Sequence, residues 1–150
     1  MNHSDIAVNQ FKKGYNCAQS VLYSYAEYLN ISRDTALRIS CGFGAGMGRT
    51  QEVCGAISGG ILVLNHLYGR GENEDKQKQE LTYLKVKELI QKFEKKYGTV
   101  NCKSLLDGCE LLTTEGKETF QSNHLIEKCY EYVEYTVKLL DEIIEEDVRK

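Results

Sequence analysis

A chain of 150 residues with no proline lacks the residue that most firmly breaks a helix. Only glycine and short polar breaks remain to divide it, and apolar residues recur at three- and four-residue steps nearly throughout. Ile6 to Phe11 form a short apolar run that ends at Gly14, and Asn16 then reads as the N-cap of a helix carrying Cys17, Val21, Leu22, Tyr25, Tyr28 and Leu29. Ser32 and Asp34 open a third helix through Ala36, Leu37 and Ile39. A glycine loop, Gly42-Phe43-Gly44-Ala45-Gly46-Met47-Gly48, leads into a helix marked by Val53, Cys54, Ile57, Ile61, Leu64 and Tyr68 and stopped by Gly69 and Gly71. The polar stretch Gly71 to Gln79 reads as a loop. It feeds a long helix that buries Leu81, Leu84, Val86, Leu89, Ile90, Phe93 and Tyr97 and ends at Gly98. Asn101 caps a short helix through Cys102, Leu105 and Leu106, and Thr113 or Thr114 starts another turn of helix. The last helix is one stripe of Leu125, Ile126, Cys129, Tyr130, Val133, Val137, Leu140 and Ile144. No alternating strand pattern survives. The expectation is an all-α fold, a compact multi-helix bundle with a glycine-rich loop before the Cys54 helix, as one domain over residues 1–150.

Composition narrows the partners. Nineteen Lys and Arg face 22 Asp and Glu, a formal charge of −3, so no cationic surface for nucleic acid is expected. The longest uncharged stretch, Val53 to Gly69, is interrupted by Ser58, Asn65, His66 and glycines and is too short and polar to span a bilayer. Met-Asn-His-Ser-Asp lacks the basic and apolar regions of a signal peptide, so a cytoplasmic location is expected. There its six cysteines, Cys17, Cys41, Cys54, Cys102, Cys109 and Cys129, are expected as thiols.

The glycine loop invites a nucleotide-binding reading and fails it. The dinucleotide fingerprint needs glycine at offsets 0, 2 and 5, and the loop places Met47, Arg49 or Gln51 last; Gly48-Arg49-Thr50 has Phe43 where a phosphate loop needs glycine. A turn between helices, or a backbone that closely approaches a bound group, fits such glycines. In the next helix Gly55, Gly59 and Gly60 each cost about 0.8–1.0 kcal/mol relative to alanine. Either tight helix packing or clearance beside Cys54 for a bulky group, such as a metal cluster, offsets that.

Cys17 follows the cap Asn16, Cys102 follows the cap Asn101, and Cys54 stands near its helix start. Free N–H groups and the helix dipole stabilise a thiolate there, which predicts lowered pKa values. Cys129 lies on an apolar stripe, while Cys41 and Cys109 follow apolar residues and fit core packing equally well.

Asn16-Cys17-Ala18-Gln19, Cys54-Gly55-Ala56-Ile57-Ser58-Gly59-Gly60, Asn101-Cys102 and Cys129 together resemble the C-GCAxxG-C-C family of redox-active proteins. Val53 stands where the family's name places a glycine. By that similarity Cys17, Cys54, Cys102 and Cys129 are the family cysteines, and Cys41 and Cys109 are extras. A similar domain in split-Soret cytochromes is associated with an iron–sulfur cluster, so the resemblance implies one here, most simply [2Fe–2S]. Electron transfer with an unidentified partner, or redox sensing, would be the function. No Cys-x-x-Cys-His segment exists, so the haem half of the comparison does not carry over.

Two alternatives stay open. One is a cluster-free thiol/disulfide protein using Cys17, Cys54 or Cys102. The other is a zinc-stabilised interaction module, although zinc sites usually pair cysteines two to four residues apart and Cys102 and Cys109 are seven apart. His66 and His124 are candidate substitute ligands, better explained as ordinary histidines; His3 is expected in a frayed terminus. Tyr130, Tyr132 and Tyr135 point to packing, and their helix to a homodimer.

Overall fold

The computed structural model describes residues 1–149, and among them every regular element is a helix. We label them α1 (His3–Lys12), α2 (Cys17–Tyr25), α3 (Arg33–Ser40), α4 (Gly55–Tyr68), α5 (Lys76–Tyr97), α6 (Cys102–Leu105), α7 (Thr114–Ser122) and α8 (Ile126–Arg149). The all-α expectation holds. The caps fall where the side chains placed them: Asn16 forms a full capping box with Gln19, Ser32 caps α3, Asn101 caps α6 and Thr113 caps α7. Gly98, in the left-handed region at φ 83°, ends α5.

The central pair is α2 and α4. Helices α1, α5 and α8 enclose it, and α3 flanks α2. The core holds Leu22, Tyr25, Ile57, Leu64, Leu89, Phe93, Val137 and Leu140, all essentially without exposure. Helix α4 is buried on nearly every side, which its small residues permit. A Cβ on Gly59 would lie 2.7 Å from the Ala18 carbonyl oxygen and 3.0 Å from Ala18 Cα; one on Gly60 would meet Leu89 and Thr136. These two glycines therefore serve helix packing, and the clearance expected beside Cys54 is not at Gly59.

Three expectations are corrected. Helix α5 begins a turn earlier than the polar composition suggested, because Asp75 caps it through Gln77 N–H at 3.0 Å. Its buried row is Thr82, Lys85, Leu89 and Phe93, whereas Leu84 is 64% exposed. The polar members of that row carry their own partners: the Thr82 hydroxyl donates to the Tyr68 carbonyl at 2.6 Å, and Lys85 pairs with Asp147 at 3.3 Å over the Tyr68 ring. His3 is not frayed. It sits 2.9 Å from Asp141 and against the ring of buried Tyr25, which also bonds Asp141, so α1 is tied to α8.

The tyrosines of α8 are engaged within the chain. Tyr132 and Tyr135 pack edgewise with Phe93 and Tyr97, Tyr132 donates to the Leu105 carbonyl at 2.6 Å, and Tyr130 packs on Phe11. No helix among the described residues is long and apolar enough to cross a membrane.

Candidate metal centre

Four separate helix starts bring four cysteines to one place. Cys17 is the first residue of α2, Cys54 is the N-cap of α4, Cys102 is the first residue of α6 and Cys129 lies in the first turn of α8. All four line a single cavity of about 180 Å³, whose other walls include Phe11, Ala45, Leu105, Leu111, Phe120 and Tyr132. No histidine or carboxylate lines it. His66 and His124 are both exposed and elsewhere, so neither substitutes for a thiol.

Cys54 and Cys102 are pinned by a short backbone clasp that no strand pattern announced. Val53 and Asn101 form an isolated antiparallel bridge; Cys54 N–H donates to the Val100 carbonyl at 2.7 Å and Cys102 N–H to the Glu52 carbonyl at 2.6 Å. Cys54 and Cys102 are thus held side by side by the main chain, and each is 7% exposed.

Cys17 is cradled differently. A Cβ on Gly55 would fall on the Cys17 sulfur itself, so glycine there is what lets that sulfur lie against the start of α4. The sequence suggests clearance beside Cys54 for a bulky group; at Gly55 that room is taken by the Cys17 sulfur. Opposite it, the glycine loop makes a turn of left-handed helix. Ala45, Gly46, Met47, Gly48 and Arg49 have φ of 51°, 69°, 72°, 61° and 67°. Side-chain-bearing residues in this region cost about 1–2 kcal/mol each. The turn is held by Gln51 N–H to the Ala45 carbonyl at 3.2 Å, Glu52 N–H to the Gly46 carbonyl at 2.9 Å and the Thr50 hydroxyl to the Gly46 carbonyl at 2.9 Å. Ala45 of this turn lines the cavity beside Cys17, and the N–H groups of Ala45, Ala18 and Gly55 act to favour the Cys17 thiolate. Asn16 locks the arrangement, donating to the Cys41 carbonyl at 2.8 Å while capping α2.

The electrostatics reverse the expected pKa shifts. Burial pushes Cys17 up despite its N–H donors, and pushes Cys54 well up, with the neighbouring cysteines adding to it. Burial raises Cys102 to about 11 and Cys129 to about 12. Desolvation outweighs the helix ends, so all four are neutral thiols at pH 7. A low-pKa nucleophile is not what the closed site contains.

The extras separate. Cys41 is exposed, contrary to core packing, and Cys109 is half-buried outside the cavity, donating its S–H to the Gly116 carbonyl at 3.1 Å. Gln51, which nothing in the sequence marks, is buried in the left-handed region at φ 59°, and its side chain favours the Cys102 thiolate without overcoming burial. No group of three or more His, Cys, Asp or Glu among the described residues is gathered tightly enough to hold a metal ion.

No curated protein and no solved structure matches the chain. One family model does, that of the "Putative redox-active protein (C_GCAxxG_C_C)", over residues 15–143. That span contains every cysteine lining the cavity, and the chain belongs to the C_GCAxxG_C_C family of redox-active proteins.

Proposed function

We propose that Cys17, Cys54, Cys102 and Cys129 hold an iron–sulfur cluster, most simply [2Fe–2S], and that the protein transfers electrons or senses redox state. The observation that carries this reading is the convergence of four thiols, from four helix starts, on one otherwise apolar cavity. The residues fit the group. All donors are soft sulfurs, which favour iron–sulfur clusters, zinc and Cu(I) over hard cations. Gly55 leaves room for the Cys17 sulfur at the cavity wall. When bound, such a cluster supplies one-electron chemistry, and its potential responds to hydrogen bonds at its sulfurs and to burial.

The chain's own part is to place and shield. The clasp at Val53 and Asn101 fixes two sulfurs, and the left-handed turn sets Ala45 beside a third. Phe11, Leu105 and Tyr132 supply apolar wall around them. Neutral thiols must release protons on ligation, so loading is favoured as pH rises.

The test is protein purified without oxygen. Brown material carrying about two iron and two sulfide per chain agrees with a [2Fe–2S] site. Colourless protein with one zinc would sink the reading in favour of a structural module; colourless, metal-free protein with a reversible disulfide between cavity cysteines would favour thiol exchange.

A further inference from the structure

The chain between Leu106 and Leu125 stands apart from the bundle. Helix α7 packs along none of the other helices. Leu106, Leu111, Phe120 and Leu125 form, with Cys102 and Cys129, an apolar group of their own, separate from the main core. Even so, Leu111 and Phe120 close one wall of the four-cysteine cavity. At both ends the backbone turns through the left-handed region: Asp107 and Gly108, with φ of 57° and 82°, at one, and His124, with φ of 50°, at the other.

One buried side chain of the body holds this segment. Gln51 Nε2 donates to the Cys109 carbonyl at 2.7 Å, and Gln51 Oε1 accepts from the Leu111 N–H at 2.9 Å. The pairs Lys103–Glu110 and Lys128–Asp107 reach across to it at 2.9 and 2.8 Å, but exposed ion pairs add little.

We propose that residues 107–123 are a lid over the cavity. It opens as a unit about Asp107–Gly108 and Asn123–His124 while the bundle stays folded, and Gln51 is its latch. Opening breaks the two Gln51 hydrogen bonds, the exposed Lys103–Glu110 and Lys128–Asp107 pairs and one small apolar group, and leaves the packing of α2, α4, α5 and α8 intact. Segments with so few ties open well below the global unfolding free energy. The open lid is then the route by which iron and sulfide, or any small thiol reagent, reach Cys54 and Cys102. The lid exists whether or not those thiols hold a cluster, so it survives or fails independently of the function proposed above.

The test uses the metal-free, reduced full chain. Timed alkylation with iodoacetamide, resolved cysteine by cysteine by mass spectrometry, is run beside amide hydrogen exchange. Cys54 is the readout, a buried thiol on the cavity wall that is not a partner of Gln51. Gln51→Ala is expected to speed Cys54 labelling tenfold or more and to strip protection from amides 109–122, with α2 and α4 still protected. Phe120→Ala, which removes the lid's own side chain from the cavity wall, is expected to do the same and decides alone if Gln51→Ala does not fold. Unchanged Cys54 labelling, or protection lost equally in α2 and α4, would overturn the lid.

Discussion

Two glycines one turn apart on α4 should fail in opposite ways when each is changed to alanine. At Gly55 the new Cβ collides with the tip of Cys17, a side chain that can rotate away, and otherwise meets only the Phe43 carbonyl oxygen at 3.1 Å and the Ala18 nitrogen at 3.2 Å, contacts that a shift of a few tenths of an ångström relieves. Forcing a side chain off its preferred rotamer costs about 0.5–1.5 kcal/mol. Replacing a helical glycine returns at most about 1 kcal/mol. The metal-free fold should therefore change by less than about 1 kcal/mol, within about 2–4 °C in melting temperature for a chain of this size. The displaced sulfur, however, leaves its place at the cavity wall, and bound iron should fall to a small fraction of wild type. At Gly59 the Cβ would meet the Ala18 carbonyl oxygen at 2.7 Å, Ala18 Cα at 3.0 Å and Val21 Cβ at 3.1 Å, mostly backbone that cannot swing aside. Overpacking there costs about 1–3 kcal/mol. After a propensity gain of about 1 kcal/mol, the net loss is about 0–2 kcal/mol, or up to several degrees, with or without metal. The assay is thermal unfolding of metal-free wild type and both variants, together with iron per folded chain after anaerobic reconstitution. If Gly55→Ala reconstitutes normally while Gly59→Ala loses iron without losing stability, the assignment of cradle to Gly55 and packing to Gly59 is wrong.

The thiols also predict how the metal-free fold responds to pH. Burial holds Cys102 at about 11 and Cys129 at about 12 in the folded state, against about 8.5 for a free thiol. The unfolded chain sheds these protons first, so stability is complete below about pH 8.5 and falls as pH rises towards 11–12. The slope approaches about 1.4 kcal/mol per pH unit for each such thiol, and urea midpoints between pH 7 and 10 measure it. A midpoint that holds steady or climbs contradicts the shifts. Serine scanning sorts the ligands from the bystanders: Cys54→Ser and Cys129→Ser should each lose most of the iron, because a hydroxyl is a poor iron–sulfur ligand, while Cys41→Ser and Cys109→Ser should retain it. Equal iron loss in all four variants would refute the division.

Much of the fold was legible because its signals are local. Asn16 with Gln19, Ser32, Asn101 and Thr113 announce helix starts through side-chain chemistry that acts within three residues, and Gly98 announces a stop in the same way. The face of α5 was misread because Thr82 and Lys85 are polar by type. Only the folded chain supplies the Tyr68 carbonyl, the Asp147 carboxylate and the Tyr68 ring that let them be buried. His3 was misread for the same reason, its partner Asp141 lying 138 residues away.

The candidate site divides along the same line. That four cysteines act together followed from motif resemblance, and their gathering in one cavity agrees with it. Their electrostatics did not follow, because a helix start is a local feature, whereas desolvation depends on everything packed above it. The apolar wall from Phe11, Leu111 and Phe120 turns sites that would favour thiolates into a chamber of neutral thiols. The left-handed turn was least legible of all. Glycines at 42, 44, 46 and 48 mark an irregular backbone, but Ala45, Met47, Arg49 and Gln51 share the left-handed region without being glycine. Residues of that kind stay there only where the surroundings over-determine them. Here the determinants are the loop's own cross-bonds, the clasp at Asn101 and the grip of Gln51 on the segment beyond Cys109. The strain is stored in the turn whose Ala45 lines the cavity beside Cys17.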